Sequence, residues 1–168
     1  MKLAGLTLSR IEIPFRIAFK HTSAERTETE SVWVEAQSDS GETGFGEGCP
    51  RSYVTGENLA SVVEFFTQHR DALIAEIDDL DSIRTWAATH RNEVDQNPAA
   101  WCAVELALID LLACTEGGSI ESLLGIPEIE GAFHYTAVLG NSDFDTYRTT
   151  AKQYLEFEFT NFKIKLSG

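Results

Sequence analysis

Residues 98–115 read Pro-Ala-Ala-Trp-Cys-Ala-Val-Glu-Leu-Ala-Leu-Ile-Asp-Leu-Leu-Ala-Cys-Thr. Wound as a helix, this stretch is apolar on almost every side, so we expect it to be buried at the centre of a domain. Proline suits the first turn of a helix, and Gly117-Gly118 predicts its end. Glu105 and Asp110 lie about 140° apart around the axis. We therefore expect them to hydrogen-bond neighbouring loops rather than form a catalytic pair.

The sequence before this helix predicts a three-stranded antiparallel meander. Residues 3–13 and 31–37 alternate apolar and polar side chains, as a half-buried strand does. Residues 43–48 read Thr-Gly-Phe-Gly-Glu-Gly, and glycine at alternate positions allows another backbone to approach closely. The segment 39–42 predicts a hairpin turn. Residues 15–30 are polar and predict a long loop, of the kind that is often functional.

Helical periodicity returns after the meander. It predicts a helix over about 57–77 and a second helix over about 82–94, which Asp81 can cap. His69 and His90 are expected on the surfaces of these helices. The last forty residues predict a strand over 132–139, a helix over about 143–157 and a strand over 161–166. Strand, helix and strand in this order predict a βαβ unit with parallel strands.

Composition excludes several classes of partner. The chain has 13 basic and 27 acidic residues, a net charge of −14, which argues against binding to nucleic acid or to an anionic membrane. No apolar run approaches the roughly 20 residues that span a bilayer, and we expect no signal peptide. Cys102 and Cys114 lie roughly 18 Å apart on one helix, too far to bridge. We expect them and Cys49 to be small buried hydrophobes in a cytoplasmic protein.

Two lysines near the end of the chain are the strongest candidates for chemistry. The chain has five lysines, and Lys163 and Lys165 lie two residues apart. In a strand they project from the same face, and two adjacent ammonium groups disfavour each other's charge. One of them could then serve as a general base. The alternative is a strand with a solvated basic face.

His21 and Arg26 are the candidates in the polar segment 15–30. Together with its threonines and serine, they could make this segment a lid over an anionic substrate. The alternative is an exposed polar loop without a ligand. None of the four histidines has the spacing of a metal ligand to another.

The motifs occur in the order of a known family. The chain resembles the N-terminal part of the enolase superfamily, in the muconate lactonizing subgroup of the mandelate racemase/muconate lactonizing enzyme family. The residues that carry the resemblance are Pro14-Phe15, Ala18-Phe19-Lys20-His21-Thr22, Glu30-Ser31-Val32-Trp33-Val34, 41–47, Thr55-Gly56-Glu57, 103–113 and Phe162-Lys163-Ile164-Lys165.

The resemblance implies an α+β fold in two parts. Residues 1–125 would form an enolase-type capping domain, and residues 126–168 would form the first βαβ unit of an incomplete (β/α)8 barrel. Two loops of the cap, about 17–30 and about 50–56, would set specificity. The substrate-binding residues implied in this way are His21, Arg26, Tyr53, Val54 and Thr136. Lys165 would be the general acid and base, and Lys163 would help to stabilise the enolate.

The implied activity is that of a Mg²⁺-dependent isomerase. It would abstract the proton α to a carboxylate of a small substrate, and residues 17–37 are similar to epimerases of L-Ala-D/L-Glu-type dipeptides. Muconate cycloisomerases and o-succinylbenzoate synthases share the framework, and a non-catalytic α+β interaction module is the alternative from another class. The resemblance also implies a homo-oligomer.

The length of the chain limits what it can do alone. A (β/α)8 barrel takes about 250 residues, whereas about forty follow the cap. The resemblance places the magnesium ligands and the base on the opposite face in later strands, so we expect no metal ligands in this chain. The 168 residues alone are expected to be inactive, to bind Mg²⁺ poorly and to expose apolar surfaces of the barrel.

Overall fold

The computed structural model describes the backbone of residues 1–21, 24–140 and 142–165. It also describes their side chains, except those of residues 17, 19–21, 24 and 25. The elements in chain order are β1 (Leu3–Ile11), β2 (Pro14–His21), β3 (Ala24–Glu28), β4 (Ser31–Ser38), β5 (Thr43–Gly48), α1 (Leu59–Glu76), α2 (Leu80–Thr89), α3 (Arg91–Gln96), α4 (Pro98–Thr115), α5 (Ile120–Leu124), β6 (Thr136–Leu139), α6 (Phe144–Glu156) and β7 (Asn161–Ile164).

The chain divides into two compact units. The first unit is Met1–Ile13 with Glu30–Glu128, and the second is Pro14–Thr29 with Ile129–Gly168. The sequence did not predict that residues 14–29 group with the C-terminal segment. The domain boundary between residues 125 and 126 stays a prediction.

The first unit contains the predicted meander. β1, β4 and β5 form an antiparallel sheet with β4 in the centre. Val32, Val34 and Ala36 of β4 are buried, as the alternating pattern predicted. The α+β capping fold predicted from the sequence is therefore confirmed.

The predicted loop over residues 15–30, with its implied specificity loop at 17–30, is wrong as a description of the backbone. β2 and β3 pair as an antiparallel hairpin, in which Phe19 faces Arg26 and His21 faces Ala24. A two-stranded ribbon is held by backbone hydrogen bonds and does not require an apolar face. The polar side chains of this segment therefore concealed its strands.

The backbones of α4 and β5 are in direct contact, as the alternating glycines predicted. A Cβ added at Gly46 would lie 2.0 Å from the carbonyl oxygen of Ala103, so no side chain fits there. The three glycines of β5 face three alanines of α4, in the pairs Gly44–Ala107, Gly46–Ala103 and Gly48–Ala99. Small residues in one row of the helix and one face of the strand bring these two elements together.

The central position of α4 is also confirmed. The helix has the length and apolarity of a membrane-crossing segment, with a mean hydropathy of 1.5. All but one of its alanines and leucines are nevertheless packed in the interior of the first unit, and Ala103, Ala107, Leu108 and Leu111 are fully buried, whereas Leu106 is 40% exposed. Asp110 accepts a hydrogen bond from the backbone N–H of Phe45 at 2.8 Å. This carboxylate therefore hydrogen-bonds a neighbouring element, as predicted. It provides an acceptor for a backbone N–H group on the edge strand β5, which would otherwise lack one.

A buried carboxylate holds the start of α4. Glu57 is 2% exposed and accepts hydrogen bonds from the backbone N–H groups of Ala99 at 2.8 Å and Ala100 at 3.0 Å. The first N–H groups of a helix have no partner within the helix, and the positive end of its dipole favours an anion. Glu57 thus ties the end of the 50–56 segment to the core helix.

Replacing this carboxylate should destabilise the first unit. In Glu57→Gln one amide oxygen can accept a hydrogen bond, but the amide NH₂ group then faces the second backbone N–H. We expect a loss of about 1–3 kcal/mol in the free energy of unfolding, measured by urea titration. Glu64→Gln, at an exposed position of α1, is the matched control. Equal stability of the two variants would contradict the anchoring role.

The helices after α1 differ from the prediction. The single helix over 82–94 is wrong, because α2 ends at Thr89 and α3 begins at Arg91. The cap is Asp79 rather than Asp81, and its side chain accepts the N–H of Ser82 at 2.7 Å. Ser82 Oγ in turn accepts the N–H of Asp79, which completes a capping box.

Two predictions of exposure are also wrong. His69 is 7% exposed because its ring packs among other aromatic rings. The three cysteines, expected to be buried, are exposed free thiols at positions 49, 102 and 114. Cys102 lies on the flank of α4, where its thiol donates weakly to the carbonyl of Glu47 at 3.9 Å. The sequence of α4 does not show which of its residues are exposed, because the helix is apolar on nearly all sides.

The second unit contains the predicted βαβ unit. β6 and β7 pair in parallel, with Thr136 opposite Asn161 and Leu139 opposite Ile164. Asp143 caps α6 by accepting the N–H of Thr146 at 2.9 Å. Large apolar side chains of this unit are exposed, namely Phe133, Tyr135, Phe144, Leu155, Phe157 and Ile164.

Candidate functional site

Lys163 and Lys165 project from one face of the β6–β7 sheet. Lys163 pairs with Val138, and the backbone N–H of Lys165 donates to the carbonyl of Leu139 at 3.0 Å, so the parallel ladder continues to Lys165. Residues two apart on a strand share a face, and paired residues on neighbouring strands share it too. Lys163 is exposed, and Lys165 is partly buried.

Thr136 lies on this same face. It pairs with Asn161, two residues before Lys163, and it is exposed. Ala137 and Leu139 point to the opposite face and are buried, 3% and 5% exposed, which indicates that α6 covers that side. The register therefore brings together three of the residues that the sequence singled out, on the face that the helix leaves open.

Arg26 is the best-defined candidate in the hairpin. Its guanidinium carbon lies 5.6 Å from the centre of the Phe15 ring, a distance typical of a cation–π contact. Its Nη2 donates to the carbonyl of Glu28 at 3.4 Å. The Nε atom is buried and donates to no acceptor among the described residues. The side chain of His21 lies outside the described side chains.

The second unit also contains a cavity of about 740 Å³. Its wall combines apolar side chains with Arg16, Asp143 and the phenols of Tyr147 and Tyr154. Hydrogen bonds from the backbone and hydroxyl groups of Thr146 lower the pKa of Asp143, so this carboxylate stays ionised. The sequence reasoning missed Arg16, and the alternation of 14–20 is the signal that could have placed it on a strand.

The first unit has a smaller cavity of about 320 Å³ at the 50–56 segment. Tyr53 lines it together with Glu30, Arg51 and Glu57. Arg51 shapes the segment, because its Nη1 donates to the carbonyl of Glu30 at 3.0 Å and its own carbonyl accepts the N–H groups of residues 54 and 55. Val54 is 71% exposed and does not line this cavity.

The described residues do not fit a magnesium site. Within 1–21, 24–140 and 142–165, no three His, Cys, Asp or Glu side chains form a group that could hold a metal ion. The carboxylates with defined roles, such as Glu57, Asp110 and Asp143, each accept backbone hydrogen bonds. They are therefore engaged in structural contacts.

A comparison with known proteins covers nearly the whole chain. A family model described as "Mandelate racemase / muconate lactonizing enzyme, N-terminal domain" matches residues 6–125. The hydrophobic dipeptide epimerase of Citrifermentans bemidjiense is 28% identical over 171 residues, which cover 98% of this chain and 44% of that protein. The chain thus spans less than half the length of this curated relative.

Solved structures show the same fold. The substrate-liganded L-Ala-D/L-Glu epimerase from Bacillus subtilis superposes with a TM-score of 0.83 and 26% identity, over 99% of this chain and 45% of that one. The dipeptide epimerase from Methylococcus capsulatus, complexed with Mg and the dipeptide L-Arg-D-Lys, gives a TM-score of 0.81 and 24% identity, over 100% of this chain and 47% of that one.

Proposed function

Since the chain belongs to the mandelate racemase/muconate lactonizing enzyme family, we propose that it is the N-terminal part of an isomerase that removes the proton α to a carboxylate. The observation that carries the proposal is the shared open face of Lys163, Lys165 and Thr136. Two lysine side chains next to one hydroxyl form a face suited to a carboxylate that becomes an enolate during the reaction.

In the proposed reaction, Lys165 acts as the base. Its neutral amine takes the α-proton, the C–H bond breaks, and the electron pair moves into the carboxylate to form an enediolate. The positive charge of Lys163 stabilises the oxygens as they gain charge. Epimerisation requires a proton from the opposite face of the α-carbon, which a second base outside the described residues would supply.

We propose dipeptides of the L-Ala-D/L-Glu type as the substrate class. Arg26 supports an acidic side chain in the substrate, since its guanidinium is a cation held over Phe15. Arginine binds carboxylates through several N–H donors in one plane. His21, Tyr53 and Val54 remain proposed contacts of the substrate.

Magnesium dependence is proposed for the complete protein. The dipeptide epimerase from Methylococcus capsulatus was crystallised with Mg and a dipeptide. The metal would supply an electrophile for the enediolate. Its ligands would have to lie outside the described residues, which hold no such cluster.

Two further proposals concern the setting of the protein. The three free thiols support a reducing compartment, for which we propose the cytoplasm. The exposed apolar side chains of the second unit support further contacts in the complete protein, and we propose a homo-oligomer.

The proposed function is tested by exchange of the substrate α-proton with solvent. The complete protein, in which the rest of the barrel is present, is incubated in D₂O with L-Ala-L-Glu, L-Lys-L-Arg and L-Leu-L-Tyr. Loss of each α-proton is followed by NMR. We expect exchange and epimerisation, fastest for the acidic dipeptide, and none with the 168-residue chain alone. Absence of exchange from every dipeptide would reject the epimerase proposal. Conversion of cis,cis-muconate by the same protein would then favour the cycloisomerase alternative.

A further inference from the structure

Two histidines and two tryptophans form a stack of rings inside the first unit. The ring of Trp86 lies between those of His90, 4.1 Å away, and Trp101, 4.9 Å away, with interplanar angles of 18° and 15°. His69 of α1 meets Trp86 edge-on at 5.3 Å and Phe65 at 4.7 Å. We call these five residues the aromatic column. It joins α1, the α2–α3 junction and α4.

Four of the five residues are buried, His90 is partly exposed, and none of the five carries an acidic side chain. Trp86 is 3% exposed, and its indole N–H donates to no acceptor among the described residues. His90 Nδ1 lies 3.0 Å from the carbonyl of Trp86, so this nitrogen carries the proton of the neutral ring. His69 is 7% exposed, and its removal from water disfavours an imidazolium.

The titratable groups around the aromatic column come from several elements. Burial lowers the pKa of His69, the neighbouring His90 lowers it further, and Glu93 of α3 acts in the opposite direction. Glu105 of α4 accepts a hydrogen bond from the indole of Trp101, and its pKa is raised by burial. Arg70, next to His69 on α1, is directed away, because its Nε donates to the carbonyl of Leu6 at 2.9 Å.

The column is connected to the 50–56 segment through the first turn of α4. Trp101 follows Ala99 and Ala100, the two residues whose N–H groups donate to Glu57. Glu57 directly follows this segment and directly precedes Asn58, the N-cap of α1. A shift of Trp101 within the column would therefore move the turn to which the segment is tied.

We propose that the aromatic column is a pH-sensitive latch, which holds α1 and α2 against the first turn of α4 while His69 is neutral and loosens when His69 gains a proton. Protonation places a positive charge among rings, close to His90, with Glu93 as its acidic neighbour. The latch would couple acidification to the hold of Glu57 on the 50–56 segment. It depends on the fold of the first unit and not on the proposed catalytic activity.

The direction of the pH effect follows from linkage. A histidine whose pKa is lowered in the folded state binds fewer protons there than in the unfolded state. Its contribution to stability is therefore complete above the ordinary pKa of about 6.5 and is lost as the pH falls towards the folded value. The latch should be closed at pH 7.5 and weakened at pH 5.

Amide hydrogen exchange on the 168-residue chain tests the latch. The readout is the protection factor of the N–H groups of Ala99 and Ala100, corrected for intrinsic exchange, at pH 7.5 and pH 5. In the unmodified chain we expect protection to fall several-fold at pH 5. In His69→Phe, which keeps a ring but cannot gain a proton, we expect the same protection at both values of pH. His134→Gln removes an exposed histidine of the second unit and should behave as the unmodified chain does.

Two outcomes would overturn the latch. One is an equal loss of protection at pH 5 in His69→Phe and in the unmodified chain. The other outcome matters if His69→Phe and a second variant, His69→Gln, both fail to fold, so that exchange cannot be compared. NMR titration of the His69 ring in the unmodified chain then decides, and a pKa at or above the ordinary value would reject the proposal.

Discussion

Lys165→Ala is expected to slow epimerisation strongly in the complete protein, in which the rest of the barrel is present. If Lys165 transfers the α-proton, its removal should lower the rate by about 100- to 10,000-fold, the usual contribution of a general base. The rate is measured as the appearance of the second epimer by NMR. Lys152→Ala is the matched control, because Lys152 is an exposed lysine of α6 in the same unit. It should keep the rate unchanged.

The exchange pattern of this variant separates a base from a merely structural residue. A two-base epimerase removes the α-proton of each epimer from opposite faces. Loss of Lys165 should therefore stop deuterium uptake from one epimer, whereas the other epimer still exchanges through the remaining base. Equal loss of exchange from both epimers would indicate damage to the fold, and full exchange from both would refute the assigned role.

The sequence predicted those elements whose pattern is local. α4 begins at Pro98 and ends at Thr115, as predicted, because proline, a long apolar run and two glycines act over a few residues. The close approach at β5 was likewise visible in the alternation of glycine over 43–48. The hairpin of β2 and β3 was missed, since the polar residues over 20–30 outweighed the alternation of apolar and polar side chains over 14–20.

Other features depend on tertiary contacts. The burial of His69 could not be predicted from the helical period, because it results from Trp86 and Phe65 approaching from different turns and helices. For the site, strand period alone placed Lys163 and Lys165 on one face. The addition of Thr136 to that face required the register of β6 against β7. The contact of the Arg26 guanidinium with the Phe15 ring likewise depends on how the hairpin packs.

Gly46→Ala is expected to destabilise the first unit strongly. The new Cβ would lie 2.0 Å from the carbonyl oxygen of Ala103 and 2.6 Å from the backbone nitrogen of Ala107. Both obstacles are backbone atoms of the core helix, so no rotamer change can relieve the clash. The helix and the sheet must separate, which costs at least about 3 kcal/mol and exposes the core between them.

Urea unfolding of the 168-residue chain measures this effect, with Gly5→Ala as the matched control. Gly5 lies in β1 of the same sheet, and a Cβ there meets nothing within 4 Å, so its replacement should change stability by less than about 1 kcal/mol. A second comparison tests the cause. Adding Ala103→Gly to Gly46→Ala should restore nothing, because the obstructing atom at residue 103 is its carbonyl oxygen and not its methyl group. Recovery of stability in that double variant would mean that side chains, rather than backbones, set the distance between α4 and β5.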